Sequence, residues 1–285
     1  MFVITHQTHQ THQTLQTHQT HQTLQTPTTP MLNIITYNVN GIRSAISKGF
    51  WEWLAEENPD IICLQEIKAH RDDVPLLELE ALGYHHHWFS AQKKGYSGVA
   101  TFSKTEPSLV AQGCGMPGYD GEGRILRADF GDWTLLNCYF PSGTTGDVRQ
   151  DFKMKFLADF AGWVEALRKE RPKLMVVGDF NIAHTEIDIH DPKGNKKSSG
   201  FLPEERAWLT EWLASGFTDA FRFKNPDMVE YSWWSFRAGA RGNNKGWRID
   251  YVAVTDNLKD KITYARQLNE VVHSDHCPVK VLVEW

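Results

Sequence analysis

The chain has 285 residues, a formal net charge of −5, 41% hydrophobic and 23% charged residues, which suits one large globular domain or two small ones. The acidic balance argues against nucleic-acid binding by bulk charge, while leaving room for a local basic surface around an acidic metal site. No apolar stretch approaches the ~20 residues that cross a bilayer, so no membrane partner is expected.

Residues 1–30 stand apart. They are Thr-His-Gln triplets with an occasional Thr-Leu-Gln, closing in Gln25-Thr26-Pro27-Thr28-Thr29-Pro30, and every Lys, Arg, Asp and Glu lies after them. Such a tract cannot bury enough apolar surface to offset the entropy of ordering, so disorder is expected in preference to metal binding. It lacks a basic n-region, and Phe2-Val3-Ile4 is too short for the apolar core of a signal peptide. Residues 31–285 are therefore read as one catalytic domain, with Met31 as the expected start of the functional protein.

Strand-like runs follow at 33–37, 60–64, 98–102, 125–130, 133–139, 174–177, 249–254 and 279–283. Helical patterns lie between them. Residues 50–56 stop before Asn58-Pro59, 150–171 place Phe152, Phe156, Phe160, Val164 and Leu167 at helical spacing ahead of Pro172, and 203–209 open with Pro203-Glu204-Glu205. This mixture predicts two sheets with helices outside them, an α/β sandwich core. Cys63, Cys114, Cys138 and Cys277 form no Cys-x-x-Cys pair, and Cys63 and Cys138 fall within strand-like runs, so buried free thiols of a cytosolic protein are expected.

The informative polar residues collect at strand ends. Asn38 and Asn40 follow the first run, Glu66 the second, Tyr139 closes the fifth, and Gly178-Asp179-Phe180-Asn181 follows Leu174-Met175-Val176-Val177. On returning strands Asp250 sits near one start and Ser274-Asp275-His276 precedes another. Side chains alternate along a strand, so Asp179 and Asn181 share a face if the extended backbone persists, pairing a carboxylate with an amide donor as a reaction at phosphate requires. Taken singly, each residue could be a turn former, a solvated strand end or half of a surface ion pair. Together, on the one edge where strand exits and entries meet, they point to a single acidic, amide and imidazole cluster.

These residues also resemble a known family. Asn38-Val39-Asn40-Gly41-Ile42-Arg43, Leu64-Gln65-Glu66, Gly95-Tyr96-Ser97-Gly98-Val99, Gly178-Asp179-Phe180-Asn181-Ile182-Ala183, Trp247-Arg248-Ile249-Asp250-Tyr251 and Ser274-Asp275-His276-Cys277-Pro278 are similar to the exodeoxyribonuclease III, or class II apurinic/apyrimidinic endonuclease, branch of the endonuclease/exonuclease/phosphatase superfamily. The blocks run in order from about Met31 to the C-terminus. Gly194-Asn195-Lys196-Lys197-Ser198-Ser199-Gly200-Phe201 with Pro203-Glu204-Glu205-Arg206 is more particular to the DNA-repair branch. The resemblance implies a four-layered, DNase I-like α/β sandwich and Mg²⁺-dependent cleavage of the phosphodiester 5′ to an abasic site, with 3′→5′ exonuclease and 3′-end trimming action.

It also implies residue roles. Glu66 would hold Mg²⁺ (or Mn²⁺) with Asn38 and Asp275, and Asp179, Asn181 and His276 would lie around the same ion. Asp179 would orient and deprotonate the attacking water, and Asn181, Tyr139 and His276 would contact the phosphate. Asp250 would fix the His276 tautomer. Whether Asp179 or His276 takes the proton stays open. Trp233, Trp247 and Ile249 would line the pocket for the base-less sugar, and Asn40, Lys68, Tyr96, Arg124, Ser142, Asn195, Lys197 and Arg237 would bind substrate. Further loop cations, among them Arg71, Lys93, Lys94, Lys193, Lys196, Arg241 and Lys245, could hold the phosphate backbone. Residues 235–241 depart from relatives that place bulky apolar wedges there, which leaves Arg237 to enter the stack. The expected partner is double-stranded DNA with abasic sites or blocked 3′ ends, met by a monomer in a bacterial-type cytoplasm at the nucleoid. A phosphoesterase of the same fold acting on a lipid, inositol or other non-DNA phosphate ester, and a DNA-binding scaffold with a dead site, are the alternatives.

Overall fold

The computed structural model describes residues 1–3 and 30–285, so the disorder expected of the Thr-His-Gln tract falls outside the described residues. The strands are β1 (Met31–Asn38), β2 (Ile61–Gln65), β3 (His85–Phe89), β4 (Val99–Ser103), β5 (Leu109–Gln112), β6 (Ile125–Phe130), β7 (Trp133–Tyr139), β8 (Leu174–Asp179), β9 (Phe217–Asp219), β10 (Trp233–Trp234), β11 (Gly246–Trp247), β12 (Asp250–Thr255), β13 (Ile262–Gln267) and β14 (Val279–Glu284). One six-stranded sheet runs β13-β14-β1-β2-β4-β3, a second runs β5-β6-β7-β8-β12-β9, and β10 pairs with β11 alone. Both large sheets are mixed, with β1 parallel to β2 and β7 parallel to β8 among antiparallel neighbours.

Both faces of these sheets are covered, which is why the central strands read as unbroken apolar runs. Ile34, Ile61, Cys63, Leu135, Met175, Val177, Val252, Val254 and Val281 pack between the two sheets. The alternate residues of the same strands face outward. Ile35, Ile62 and Leu64 meet α1 (Ile42–Ile46), α2 (Phe50–Glu57) and α3 (Leu77–Ala81). Leu136, Leu174 and Val176 meet α4 (Pro117–Asp120), the long α5 (Asp147–Glu170) and α6 (Pro203–Ala214). The order helix, sheet, sheet, helix is the four-layered sandwich expected, and α7 (Ala220–Lys224) closes one end of the core between the sheets.

All eight predicted runs are strands, within a residue or two of their bounds. Four longer strands escaped the sequence reading: β3, β5, β9 and β13, the outermost strands of the two sheets. An edge strand has one neighbour and a solvated side, so its sequence (His85-His86-His87-Trp88-Phe89 in β3) carries little apolar periodicity. The helix read at 203–209 continues to Ala214. All four cysteines are unpaired, with Cys63, Cys138 and Cys277 buried. Among the described residues no helix is long and apolar enough to cross a membrane.

Candidate active site

The site is the inner face of the sandwich carried to its open end. Period-two alternation takes β1 from Ile34 through Thr36 to Asn38, β7 from Leu135 through Asn137 to Tyr139, β8 from Val177 to Asp179 and β12 from Val252 to Asp250. The apolar layer thus gives way to a buried polar layer. Gln65 Nε2 donates to Thr36 Oγ1 (2.9 Å) and Asn137 Oδ1 (2.7 Å), while Asn137 Nδ2 donates to the Ala100 carbonyl (2.8 Å). Above that layer sit the expected reactive groups. Register sets them side by side, with Asp179 opposite Asp250 across β8 and β12 and opposite Tyr139 across β7 and β8. Gly178 makes this possible: at φ +136°, any Cβ there would lie 1.8 Å from the Cys138 carbonyl oxygen.

Asn38 bridges the two sheets, donating from Nδ2 to Glu66 Oε1 (3.1 Å) and Asp179 Oδ2 (2.9 Å). The Tyr139 hydroxyl donates to the same Glu66 Oε1 at 2.7 Å. Asn181 donates its backbone N–H to Asp179 Oδ1 (2.8 Å) and its Nδ2 to Asp179 Oδ2 (3.2 Å) and the Phe140 carbonyl (3.0 Å). The segment carrying Asp275 and His276 is pinned to β10: Trp234 N–H donates to the Asp275 carbonyl (3.0 Å) and Cys277 N–H to that of Ser232 (2.8 Å). Asp275 accepts from Asn40 Nδ2 (2.9 Å) and Trp233 Nε1 (3.0 Å), and His276 Nδ1 lies 2.8 Å from Asp250 Oδ2. Asn40, Glu66, Lys68 and Asn181 all hold left-handed φ angles of 45–52°. Strained backbone of this kind gathers where side chains must be aimed.

Burial and crowding shape the charges. Burial, and after it the neighbouring Asp250 carboxylate, pushes Asp179 up to about 8. Burial alone would push the His276 imidazole down, yet the charge and hydrogen bond of Asp250 outweigh it and raise it above the ordinary imidazole range, to about 10. Burial, then the Glu66 charge, raises Tyr139 well above the ordinary phenol range and keeps it a donor. Glu66 and Asp275 go the other way. Burial pushes both up, but the Lys68 ammonium for Glu66 and the His276 charge for Asp275 prevail, and both carboxyls stay below their usual range.

The cleft above this edge has a volume of about 750 Å³. It brings together Glu66, Tyr139, Ser142, Asp179, Asn181, Lys197, Trp233, Trp247, Ile249, Asp275 and His276 from the predicted set. The two tryptophans meet edge to face, 5.9 Å between centroids, against Ile249. Other predicted residues lie around it. Lys68 pairs with Glu66 at 2.7 Å. Arg124 is buried under Tyr139, donating to its carbonyl (2.9 Å) and to the Tyr96 hydroxyl (3.3 Å), with its guanidinium 4.8 Å from the Tyr139 ring centre. Asn195 folds back onto the His190 and Asp191 carbonyls (3.2 and 3.0 Å). Arg241 ties down the Ser274 and Val271 carbonyls (3.0 and 2.6 Å), so it braces the site from behind. Arg237 is exposed at a loop tip, and beside it Phe236 is 73% exposed. Residues 235–241 therefore do present a bulky apolar side chain, contrary to the sequence reading. Asp250 is buried against His276, and its neighbour Arg248 is buried against Asp188 (2.7 Å) and Asp219 (2.8 Å), so no surface ion pair joins the two. Sequence reasoning also passed over the loop Gly143–Asp147 and Gln150, which line the cleft and whose only signal is the glycine spacing ahead of α5.

The donor set fits a divalent, oxygen-preferring cation. Ligand atoms of Asp179, Asp250 and His276 lie within 4.8 Å of one another, and Asp250 Oδ1 is buried with no hydrogen-bond partner. On the far side of Asn38 the Lys68 ammonium already offsets the Glu66 charge, a tethered cation where a metal's charge would serve.

Hydrolysis at a phosphate ester is the work that a helix-covered pair of sheets ending in such a cluster can do. The chain belongs to the endonuclease/exonuclease/phosphatase family, whose model matches residues 35–276. It is 42% identical over 254 residues to an exodeoxyribonuclease of Bacillus subtilis, covering 88% of this chain and 99% of that one. An AP endonuclease structure from Archaeoglobus fulgidus superposes with a TM-score of 0.83 at 29% identity, covering 89% of this chain and all of that one. A Neisseria 3′ phosphatase bound to a product DNA hairpin does so with a TM-score of 0.83 at 28% identity, again over 89% and 100% of the two chains.

Proposed function

We propose that this chain is a DNA-repair nuclease that hydrolyses the phosphodiester 5′ to an abasic site in duplex DNA, leaving a 3′-hydroxyl and a 5′-deoxyribose phosphate, and that it also trims 3′ ends. The observation that carries the reading is the paired placement of Asp179 and Asp250, with His276 against them, beneath a cleft walled by Trp233, Trp247 and Ile249. Glu66, Asp275 and Asn38 would hold Mg²⁺, with Mn²⁺ able to serve in its place. A bound Mg²⁺ supplies positive charge that polarises the phosphate and stabilises the leaving oxygen.

The chain's own groups do the rest. Asp179, which burial and Asp250 raise and a bound cation's charge would lower again, is the group proposed to take the proton of the attacking water. His276, kept protonated by Asp250, is a donor to the phosphate and not the base. The Asn181 amide and Tyr139 hydroxyl donate to oxygens on which charge grows. The Trp233 and Trp247 walls accept a sugar that has no base to unstack, which makes the abasic nucleotide the easiest to extrude. Lys197 and Ser142, which line the cleft, would meet backbone phosphates together with the exposed Arg237 and the partly exposed Lys68, and Tyr96 with Arg124 braces Tyr139 from below. The relatives' names and the DNA-bound Neisseria structure support DNA over other phosphate esters. We place it as a monomer in the cytoplasm, at the nucleoid; its four unpaired cysteines suit such a reducing compartment.

A side-by-side assay tests the reading. Mg²⁺-loaded protein is given an abasic duplex, an intact duplex, an inositol phosphate and vesicles of a phosphoinositide. Incision confined to DNA and strongest on the abasic duplex is expected, and phosphate release from the inositol or lipid substrate alone would overturn it.

A further inference from the structure

Beneath the cleft lies an ion pair that the chemistry above leaves unused. Lys153 of α5 and Glu205 of α6 are both fully buried, with Nζ and Oε1 2.6 Å apart. Lys153 Nζ also donates to the backbone carbonyl of Asn181 at 2.8 Å. Glu205 Oε2 accepts the N–H groups of Gly200 (2.6 Å) and Leu202 (3.0 Å), and Oε1 accepts from Gln150 Nε2 (3.0 Å). Two charges out of water cost several kcal/mol each, and apolar residues of like volume in place of a buried pair are often neutral or stabilising by about 1–4 kcal/mol. Stability alone is therefore a poor reason for this pair.

What the pair does is fix two pieces of the cleft against each other. Asn181 sits at φ 52°, with its carbonyl turned down to Lys153 and its amide turned toward Asp179. Gly200 sits at φ +93°, where a Cβ would come within 3.0 Å of both the Asn181 carbonyl and the Trp247 ring. The Ala183 N–H closes the contact on the Gly200 carbonyl at 2.7 Å. One lysine holds the turn that carries Asn181, and its glutamate holds the turn that packs on Asn181 and Trp247.

We infer that the Lys153–Glu205 pair is a positioning device for the reaction, holding the Asn181 amide in register with the phosphate, with the Gly200 turn packed on the Asn181 carbonyl as a second brace. This rests on the reading of the cleft as a phosphodiesterase. A misplacement of about 1 Å far from the chemistry can cost on the order of 10²-fold in rate. The pair acts through Asn181, so its loss and the loss of that side chain are not independent.

The test uses the full chain with Lys153→Met and Glu205→Leu combined. Thermal unfolding is expected to stay cooperative at a lowered midpoint, since the Gly200 and Leu202 N–H groups lose their acceptor, while kcat on a tetrahydrofuran-containing duplex falls roughly 10- to 100-fold with KM little changed. In an Asn181→Ala background the same pair of changes is expected to add little further loss. Unchanged kcat in the folded variant, or losses that multiply in the triple variant, would overturn the inference. A second readout needs no turnover. The Asn181 side-chain NH₂ resonances, assigned by their absence in Asn181→Ala, should shift or broaden in the pair variant; resonances that stay in place argue for a purely structural pair. Should the parent itself leave the abasic duplex uncut, the functional reading fails and the resonances alone decide on the pair. If the apolar variant does not fold, Glu205→Gln, which keeps an acceptor for Gly200 but removes the charge, is read in the same two ways.

Discussion

Asp179 occupies a crowded electrostatic position, with Asn38, Asn181, Asp250 and His276 all within its reach. Asp179→Asn keeps the size and most of the hydrogen bonds but removes the carboxylate proposed as the base. Single-turnover incision should fall about 10²- to 10⁴-fold while DNA affinity by fluorescence anisotropy is kept, and near-normal turnover would refute the role. Trp233 offers a finer test, because its Nε1 donates to Asp275, a proposed metal ligand, and hydrogen-bond partners of metal ligands tune metal binding. Trp233→Phe keeps an aromatic wall and loses that bond, so metal affinity measured by calorimetry should weaken by about 10- to 100-fold. An unchanged affinity would detach the wall from the metal edge. At this scale the sequence was most legible where side chains end strands: Asn38, Tyr139, Asp179 and Asp250 could be placed because alternation and the end of an apolar run fix both face and depth. Arg124 was expected to bind substrate, and its burial under Tyr139 was not legible, since that depends on strand pairing between β6 and β7 that no local pattern encodes.

Elements were readable in proportion to how deeply they are buried. The central strands and the long amphipathic α5 carry strong periodicity, whereas the edge strands β3, β5, β9 and β13 owe their form to one neighbour each. The entry to β12 shows how tertiary contacts decide local structure. Arg248 is locked by Asp188, which also takes Arg222 and caps its own short turn through the Thr185 N–H (3.0 Å). Burial pushes the Asp188 carboxyl up, but the Arg248 and Arg222 charges outweigh it and hold it well below the usual carboxylate range. A depressed folded-state pKa stabilises the fold above the unfolded value of about 3.9 and is lost as pH falls below it. Asp188→Asn should thus cost about 3–5 kcal/mol at pH 7, and the gap to the parent, followed by urea unfolding, should narrow progressively below about pH 4. A gap independent of pH would contradict the ion-pair account.

The whole molecule is a sandwich whose inner face turns from apolar to polar to reactive over two alternating residues per strand. That gradient sets a small acidic group, Glu66, Asp179 and Asp275, apart from the rest of a chain whose net charge is −5, and Lys197 lines the same cleft. Composition alone could state the deficit but not this segregation, because sheet closure brings together residues as distant as Asn38 and Asp275. Pro30 accepts the N–H of Trp285 at 2.9 Å, and removal of residues 1–29, which keeps that contact, is expected to leave melting temperature and incision rate unchanged. A large loss of either would assign the tract a role in the domain. The central claim is tested most directly by locating the cut in a duplex that carries one tetrahydrofuran abasic analogue, with Mg²⁺ or with EDTA. The account predicts a single nick immediately 5′ to the lesion, with a 3′-hydroxyl end, that EDTA abolishes. No nick, a nick on the 3′ side, or cleavage that persists in EDTA would contradict it.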